Sequence, residues 1–288
     1  MLPSISIHTT QDDVKYALYN QPEVVSDVIK NDGVWNHHVL EMADKILSKI
    51  PGPGKVYDVG AGIGTFSIPL AIKYNDRFAF FAFEAQRLLA LQLSTNIFLN
   101  NLDCVTVHNC IVASEQNSAH IPSVDIQFSS NHQALSLDEK MNDARGIPFK
   151  EVEDFTLMHP TDVRSLDSYP DKDVKLIKIS VCGMELDVIN GSVSVMINNN
   201  FPPVIFETWQ ELEWYKKYDD LICKALTDVG YEYIHNLGSH KIAFKNSAEY
   251  NFYNQDVEVL GQLGEFVVAE HEHDAQKTIE HQAFMNLK

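Results

Sequence analysis

Apolar positions along this chain recur in two rhythms. Compact apolar runs occur at Val56 to Val59, Arg77 to Glu84, Cys104 to Val107, Val174 to Val181 and Pro203 to Phe206. Runs of this length, bounded by turn residues, read as buried strands. Between them the apolar residues fall three or four apart. From Trp35 to Ile50 they are Val39, Leu40, Met42, Ala43, Ile46, Leu47 and Ile50, and Arg87 to Asn100 and Glu211 to Val229 repeat that helical spacing. Pro51-Gly52-Pro53-Gly54 stops the first of these helices and delivers the chain into a strand. A shorter helix is expected from about Ile63 to Lys73, with Pro69 inside it forfeiting a backbone bond and bending it. Tyr231 to His235 and Lys241 to Phe244 predict a terminal hairpin around Leu237-Gly238-Ser239. Residues 1–50 read as an N-terminal helical cap, with short helices near Asp12 to Tyr19 and Pro22 to Lys30. Strand and helix in alternation predict an α/β domain over residues 51–246.

The chemistry concentrates at Val56-Tyr57-Asp58-Val59-Gly60-Ala61-Gly62-Ile63-Gly64-Thr65-Phe66-Ser67. A strand ends near an aspartate, and three glycines at alternate positions lead into a helix. Glycines let the backbone turn sharply and let a ligand approach without a Cβ in the way. The helix start adds free N–H groups and a positive dipole end. The dinucleotide spacing is G-x-G-x-x-G, whereas this chain has G-x-G-x-G with Thr65 next. That suits a nucleoside with no pyrophosphate to cradle. The next strand ends at Glu84, where an acid is placed to accept both ribose hydroxyls. An ordinary crossover with a glycine turn and an edge acid is the plain alternative.

Taken together, several segments resemble a class I S-adenosylmethionine-dependent methyltransferase, and more narrowly the FkbM family. They are Gly33-Val34-Trp35-Asn36-His37-His38, Asp58-Val59-Gly60-Ala61-Gly62-Ile63-Gly64, Phe83-Glu84-Ala85, Arg164-Ser165-Leu166-Asp167, Lys178-Ile179-Ser180-Val181-Cys182-Gly183-Met184-Glu185 and Pro203-Val204-Ile205-Phe206-Glu207. The resemblance spans Asp32 to Asn246. It implies a Rossmann-like fold: a mostly parallel seven-stranded sheet with an antiparallel terminal hairpin and helices on both faces. It implies S-adenosylmethionine as cofactor. Asp58, Gly60, Ala61, Gly62, Gly64, Thr65 and Phe66 would then hold the methionine end, Glu84 and Ala85 the ribose, and Ile111 and Val112 the adenine. Trp35 and His38 match a segment that lies against the cofactor in the family. Trp35 fits a core aromatic equally well, and His38 an exposed helix start.

The acceptor side departs from the family. An aspartate is usual where Ser180 stands, and a glutamate where Cys182 stands, while Lys178, Gly183 and Glu185 match. Ligands of open α/β sheets bind outside the carboxyl ends of the strands, so Ser180 and Cys182 should border the acceptor. A serine hydroxyl is too weakly basic to take a proton unaided. Glu207, at the end of the fifth strand, is therefore the first choice for base, with Lys178 and Glu185 beside it. Partnering a backbone amide or Lys178 is the alternative for Glu207. Residues 115–160 carry little periodicity and read as a loop insertion over the site, contributing His132; a surface hairpin is the alternative.

Composition narrows the reading. The chain has 288 residues, 45% hydrophobic and 22% charged, and a formal charge of −18 from 22 basic and 40 acidic side chains. Such a field repels phosphate backbones, so nucleic acid is an unfavourable substrate. A neutral small-molecule or glycan hydroxyl is the expected acceptor, although acidity can equally serve solubility alone. No segment reads as membrane-spanning or as a signal peptide, and the expected location is cytoplasmic. Four cysteines without a C-x-x-C pair fit reduced thiols. Residues 247–288 form an acidic extension. His271-Glu272-His273 and His281 there read as solvated tail, with no metal site.

Two further readings stay open. The losses at Ser180 and Cys182 fit a methyltransferase-like binding or scaffold protein. A nicotinamide-dependent enzyme is the third, with its third glycine one residue too early.

Overall fold

The computed structural model describes residues 3–122, 132–137, 139–144, 158–170 and 172–254. Met1–Asn246 forms one compact unit, and a helix at Ser247–Asn254 belongs to a second. The acidic residues 255–288 lie outside the described residues.

The central sheet is built from the predicted apolar runs. Its strands are β3 (Gly54–Val59), β4 (Phe78–Phe83), β5 (Val105–His108), β9 (Val174–Ile179), β10 (Val204–Glu207), β11 (Tyr233–Leu237) and β12 (His240–Phe244). Their order is β11-β12-β10-β9-β3-β4-β5. The pairs from β10 through β5 are parallel, and β12 runs antiparallel to both β10 and β11. The expected α/β sheet with its terminal hairpin is therefore present.

Helices cover both faces, so the inner strands are apolar on both sides. Tyr57, Val59, Phe83, Ile177, Ile179 and Phe206 pack with α6 (Glu185–Asn190), α7 (Val193–Asn198) and α8 (Glu213–Val229). The other face meets α1 (Val24–Asp32), α3 (Ser67–Tyr74) and α4 (Arg87–Leu99) through Ile29, Ile68, Leu89, Leu93 and Ile97. A further helix, α2 (His37–Lys49), precedes β3 and buries Val39, Met42, Ala43, Ile46 and Leu47.

Four expectations need correction. Residues 12–19 are not helical: β1 (Ile5–Thr9) and β2 (Lys15–Tyr19) form an antiparallel hairpin. Distant side chains of α4 hold β2 extended. Asn96 Oδ1 accepts the Ala17 N–H at 2.7 Å, and Gln92 Nε2 donates to the Ala17 carbonyl at 2.7 Å. Asp13 turns the hairpin with φ of 61°. Second, Pro69 is the third residue of α3 and lies in its first turn, not in its interior. Third, residues 109–114, which the apolar pattern leaves outside every expected strand, are not all loop. They contain β6 (Cys110–Val112), which joins β8 (Met158–Arg164) and β7 (Asn117–Pro122) in a second sheet ordered β6-β8-β7. Fourth, β7 and β8 pair antiparallel, so the ends of the expected loop insertion are strands. Within it, residues 132–134 make a helical turn and α5 covers Glu139–Ala144. Of the expected insertion, residues 123–131, 138 and 145–157 lie outside the described residues.

Candidate functional site

The strand order reverses at β3: β4 and β5 lie to one side, β9 and β10 to the other. Chains leaving β3 and its neighbours must part there, which opens a crevice at the carboxyl ends of the strands. A cleft occupies that point. It is lined by Gly60 and Gly62 from the glycine turn, Glu84, Ala85 and Gln86 after β4, and Cys110, Ile111 and Val112 of β6. Ser180, Val181, Cys182 and Met184 line it from the end of β9, and Gln133, Leu135 and Leu137 close it from the helical-turn segment.

The glycine turn is fixed from several sides. Phe83 O accepts the N–H groups of Gly60 and Ala61 at 2.9 and 3.0 Å. Gly60 has φ of 76°, and a side chain there would collide with the Ser180 carbonyl. Gly64 has φ of 94°, and its Cβ would stand 2.6 Å from Ile68 Cδ1. At Gly62 the nearest heavy atom would be Gln133 Oε1, at 3.4 Å, so this glycine faces the cleft. Thr65 is half-buried, while Ala61 and Phe66 are buried behind the turn.

Glu84 is buried at the tip of β4. Its Oε2 accepts the Gly62 N–H and its Oε1 the Gln86 N–H, both at 2.8 Å. Burial raises its pKa, opposed by those two hydrogen bonds and by Lys178. Each carboxylate oxygen can accept more than one hydrogen bond, so capacity for a diol remains on the cleft side.

Asp58 and Lys178 are register partners on adjacent parallel strands. Asp58 is wholly buried, with Oδ1 3.0 Å from Lys178 Nζ and Oδ2 accepting the Ser67 hydroxyl at 2.6 Å. Lys178 Nζ also donates to the Gly60 carbonyl at 2.9 Å. This ion pair is a strut beneath the glycine turn, and neither side chain lines the cleft. Glu185 is likewise wholly buried. It accepts the Val181 N–H at 3.0 Å, the Gly183 N–H at 3.0 Å and the Tyr215 hydroxyl at 2.9 Å. It thereby folds the loop after β9, in which Cys182 takes φ of 54°. Burial raises the pKa of Glu185.

Glu207, at the end of β10, faces His240 across the register and is half-buried, but does not line the cleft. Trp35 packs partly buried on the cluster containing Ala61 and Ile63. His132 begins the helical turn, and its side chain lies outside the described residues. Cys110 borders the cleft as a thiol, its pKa pushed up to about 11 by burial. Among the described residues no group of histidines, cysteines and acids is arranged to hold a metal, and no helix is long and apolar enough to cross a membrane.

Sequence reasoning missed two parts of the site. One is the segment Gln133 to Leu137, pinned by Ser136 Oγ donating to the Cys182 carbonyl at 2.6 Å and Gln133 Nε2 to Glu23 Oε2 at 2.7 Å. The other is His240. Because β12 is antiparallel to β10, its first residue returns to the carboxyl ends of the parallel strands. There its Nε2 lies 3.1 Å from Ser180 Oγ. A histidine opening the last strand was the available signal.

No family model matches the chain, and no curated protein sequence matches it. Solved structures do resemble it. The methyltransferase FkbM of Methylobacillus flagellatus KT is 17% identical, with a TM-score of 0.43, over 67% of this chain and 44% of that one. Trm5b of Pyrococcus abyssi is 13% identical, with a TM-score of 0.44, over 84% of this chain and 55% of that one. A SAM-dependent O-methyltransferase from Thermotoga maritima is 14% identical, with a TM-score of 0.40, over 80% and 64%. These likenesses are weak, and the strand order stands without them.

Proposed function

We propose that this chain is an S-adenosylmethionine-dependent methyltransferase that methylates a hydroxyl of a sugar, glycan or small metabolite. One observation carries the reading. Glu84 stands at the tip of β4, hydrogen-bonded to the glycine turn, at the switch point of the sheet. A nucleoside with a free ribose diol is the ligand this arrangement would suit. Glu84 would accept the ribose hydroxyls. Ala85, Ile111 and Val112 would give the adenine apolar contact, with the polar Gln86 also lining the cleft. The glycine turn presents bare backbone to the methionine end. When bound, the cofactor supplies a methyl group made electrophilic by a cationic sulfur. The protein's remaining work is to bind, align and exclude water.

Ser180 and Cys182 line the cleft from the end of β9 and would border the acceptor. Lys178 and Asp58 neutralise each other beneath it, and the chain's −18 charge disfavours phosphate-rich substrates. Both features favour a neutral acceptor. A second reading has its own support. Ser180 and Cys182 stand where the resembled family carries carboxylates, as expected of a cofactor-binding scaffold that does not turn over.

The test is transfer of a radiolabelled methyl group from S-adenosylmethionine to neutral oligosaccharides, methyl glycosides and, in parallel, total transfer RNA. Label in the carbohydrate fraction supports the proposal. Label in RNA alone contradicts the acceptor class, and cofactor binding without transfer favours the scaffold.

A further inference from the structure

A line of polar side chains leads out of the cleft from Ser180. Ser180 Oγ lies 3.1 Å from His240 Nε2, and the other ring nitrogen of His240, Nδ1, lies 3.0 Å from Ser239 Oγ. Ser239 Oγ is in turn 3.4 Å from Nε2 of His38, a half-buried residue in the first turn of α2. His240 itself is wholly buried. Three elements distant in sequence, the end of β9, the start of β12 and the start of α2, thus bring alternating hydroxyl and imidazole groups into one file. Its inner end borders the cleft and its outer end reaches partly exposed surface.

We infer that Ser180, His240, Ser239 and His38 form a proton relay that removes the proton of a hydroxyl acceptor from the cleft. The inference rests on the methyltransferase reading and deepens it. It answers the difficulty raised by the serine at position 180, which lacks basicity on its own. The acceptor's proton goes to Ser180 Oγ as the proton of Ser180 goes to His240 Nε2. The Nδ1 proton of His240 passes to Ser239, the Ser239 proton to His38 Nε2, and His38 exchanges with water. Each group gives one proton and takes one, so no charge stays inside. Ser180 is the only member that meets the acceptor; His240 and Ser239 act through it.

The relay requires His240 to be neutral with Nε2 as acceptor. Burial, then His38 and Lys178, push its pKa well below the ordinary 6.5. The charged or titratable groups facing it are His38 on α2, Lys178 on β9 and Glu207, its register partner on β10. A weak base suffices, because the acceptor oxygen becomes strongly acidic as its new bond to carbon forms. A depressed pKa also keeps the ring in its accepting form across the neutral range.

The test uses full-length protein labelled with ¹⁵N in the histidine rings, with His240→Gln to assign the signal. The expected result is a neutral Nδ1–H tautomer of His240 throughout the range from about pH 5 to 8. Exchange of that proton with water should be at least about tenfold slower in His38→Phe, the excess being what a purely structural hydrogen bond would not give. An Nε2–H tautomer, an imidazolium near neutral pH, or equal exchange in wild type and His38→Phe would overturn the relay. Calorimetry with S-adenosylmethionine separates this from the parent reading. Absence of binding by wild type sinks the methyltransferase proposal, whereas binding with the wrong tautomer sinks only the relay.

Discussion

At the scale of single residues, Lys178 brings a positive charge to a place with little water. It meets a carboxylate, Asp58, that is wholly buried. Removing one partner of such a pair leaves the other charge uncompensated, which costs about 3–5 kcal/mol. Lys178→Met is therefore expected to lower unfolding stability by that amount in urea titration. Lys178→Met with Asp58→Asn should recover a large part. The glycines differ from one another in the same way. Gly60→Ala meets the Ser180 carbonyl head-on, whereas Gly62→Ala meets only Gln133 Oε1 at 3.4 Å. Both have positive φ, which costs about 1–2 kcal/mol for a residue with a Cβ. Thermal melts should show Gly62→Ala folded with a modest loss and Gly60→Ala unfolded or many degrees lower. The sequence pointed to Asp58 and Lys178 as residues of interest but did not reveal their roles. Only strand register puts Lys178 beside Asp58 and turns both from the cleft.

At the scale of elements, the loop after β9 is organised by Glu185 and the tyrosine of α8 that donates to it. Tyr215→Phe removes one donor from a buried carboxylate and should cost about 1–3 kcal/mol. The change is readable as a lower urea midpoint with an unchanged slope. The strands β3, β4 and β9 were legible because most of their positions are buried and they read as mainly apolar runs. The hairpin β1–β2 was not, because its extended form depends on Asn96 and Gln92, which lie far along the chain. His240 was missed for a related reason. The register of the last hairpin, invisible in local pattern, decides that it meets Ser180. Glu84 was legible from its position alone, at the end of the strand after the glycine turn.

At the scale of the molecule, buried titratable groups pull stability in opposite directions with pH. His240 titrates near 6.5 when unfolded and well below that when folded. Below about pH 6.5 the unfolded state therefore binds a proton that the folded state does not, and stability falls on acidification. The limiting slope is about 1.4 kcal/mol per pH unit. Glu84 and Glu185, whose pKa values are raised above 4.5, act the other way. Their folded forms bind protons more readily, so acidification through their raised values adds stability. Comparing urea unfolding of wild type and His240→Gln at pH 7 and pH 5 isolates the histidine, and the variant should lose less stability between the two.

Under the proposed function, the cleft at the sheet's switch point holds S-adenosylmethionine through Glu84. The most direct measurement is calorimetric titration of S-adenosylmethionine and S-adenosylhomocysteine into wild type and into Glu84→Ala, with thermal melts confirming that both are folded. Micromolar binding by wild type, weakened at least about tenfold (about 1.4 kcal/mol) in the variant, is the expected result. No binding by wild type, or equal binding by both, would contradict the account.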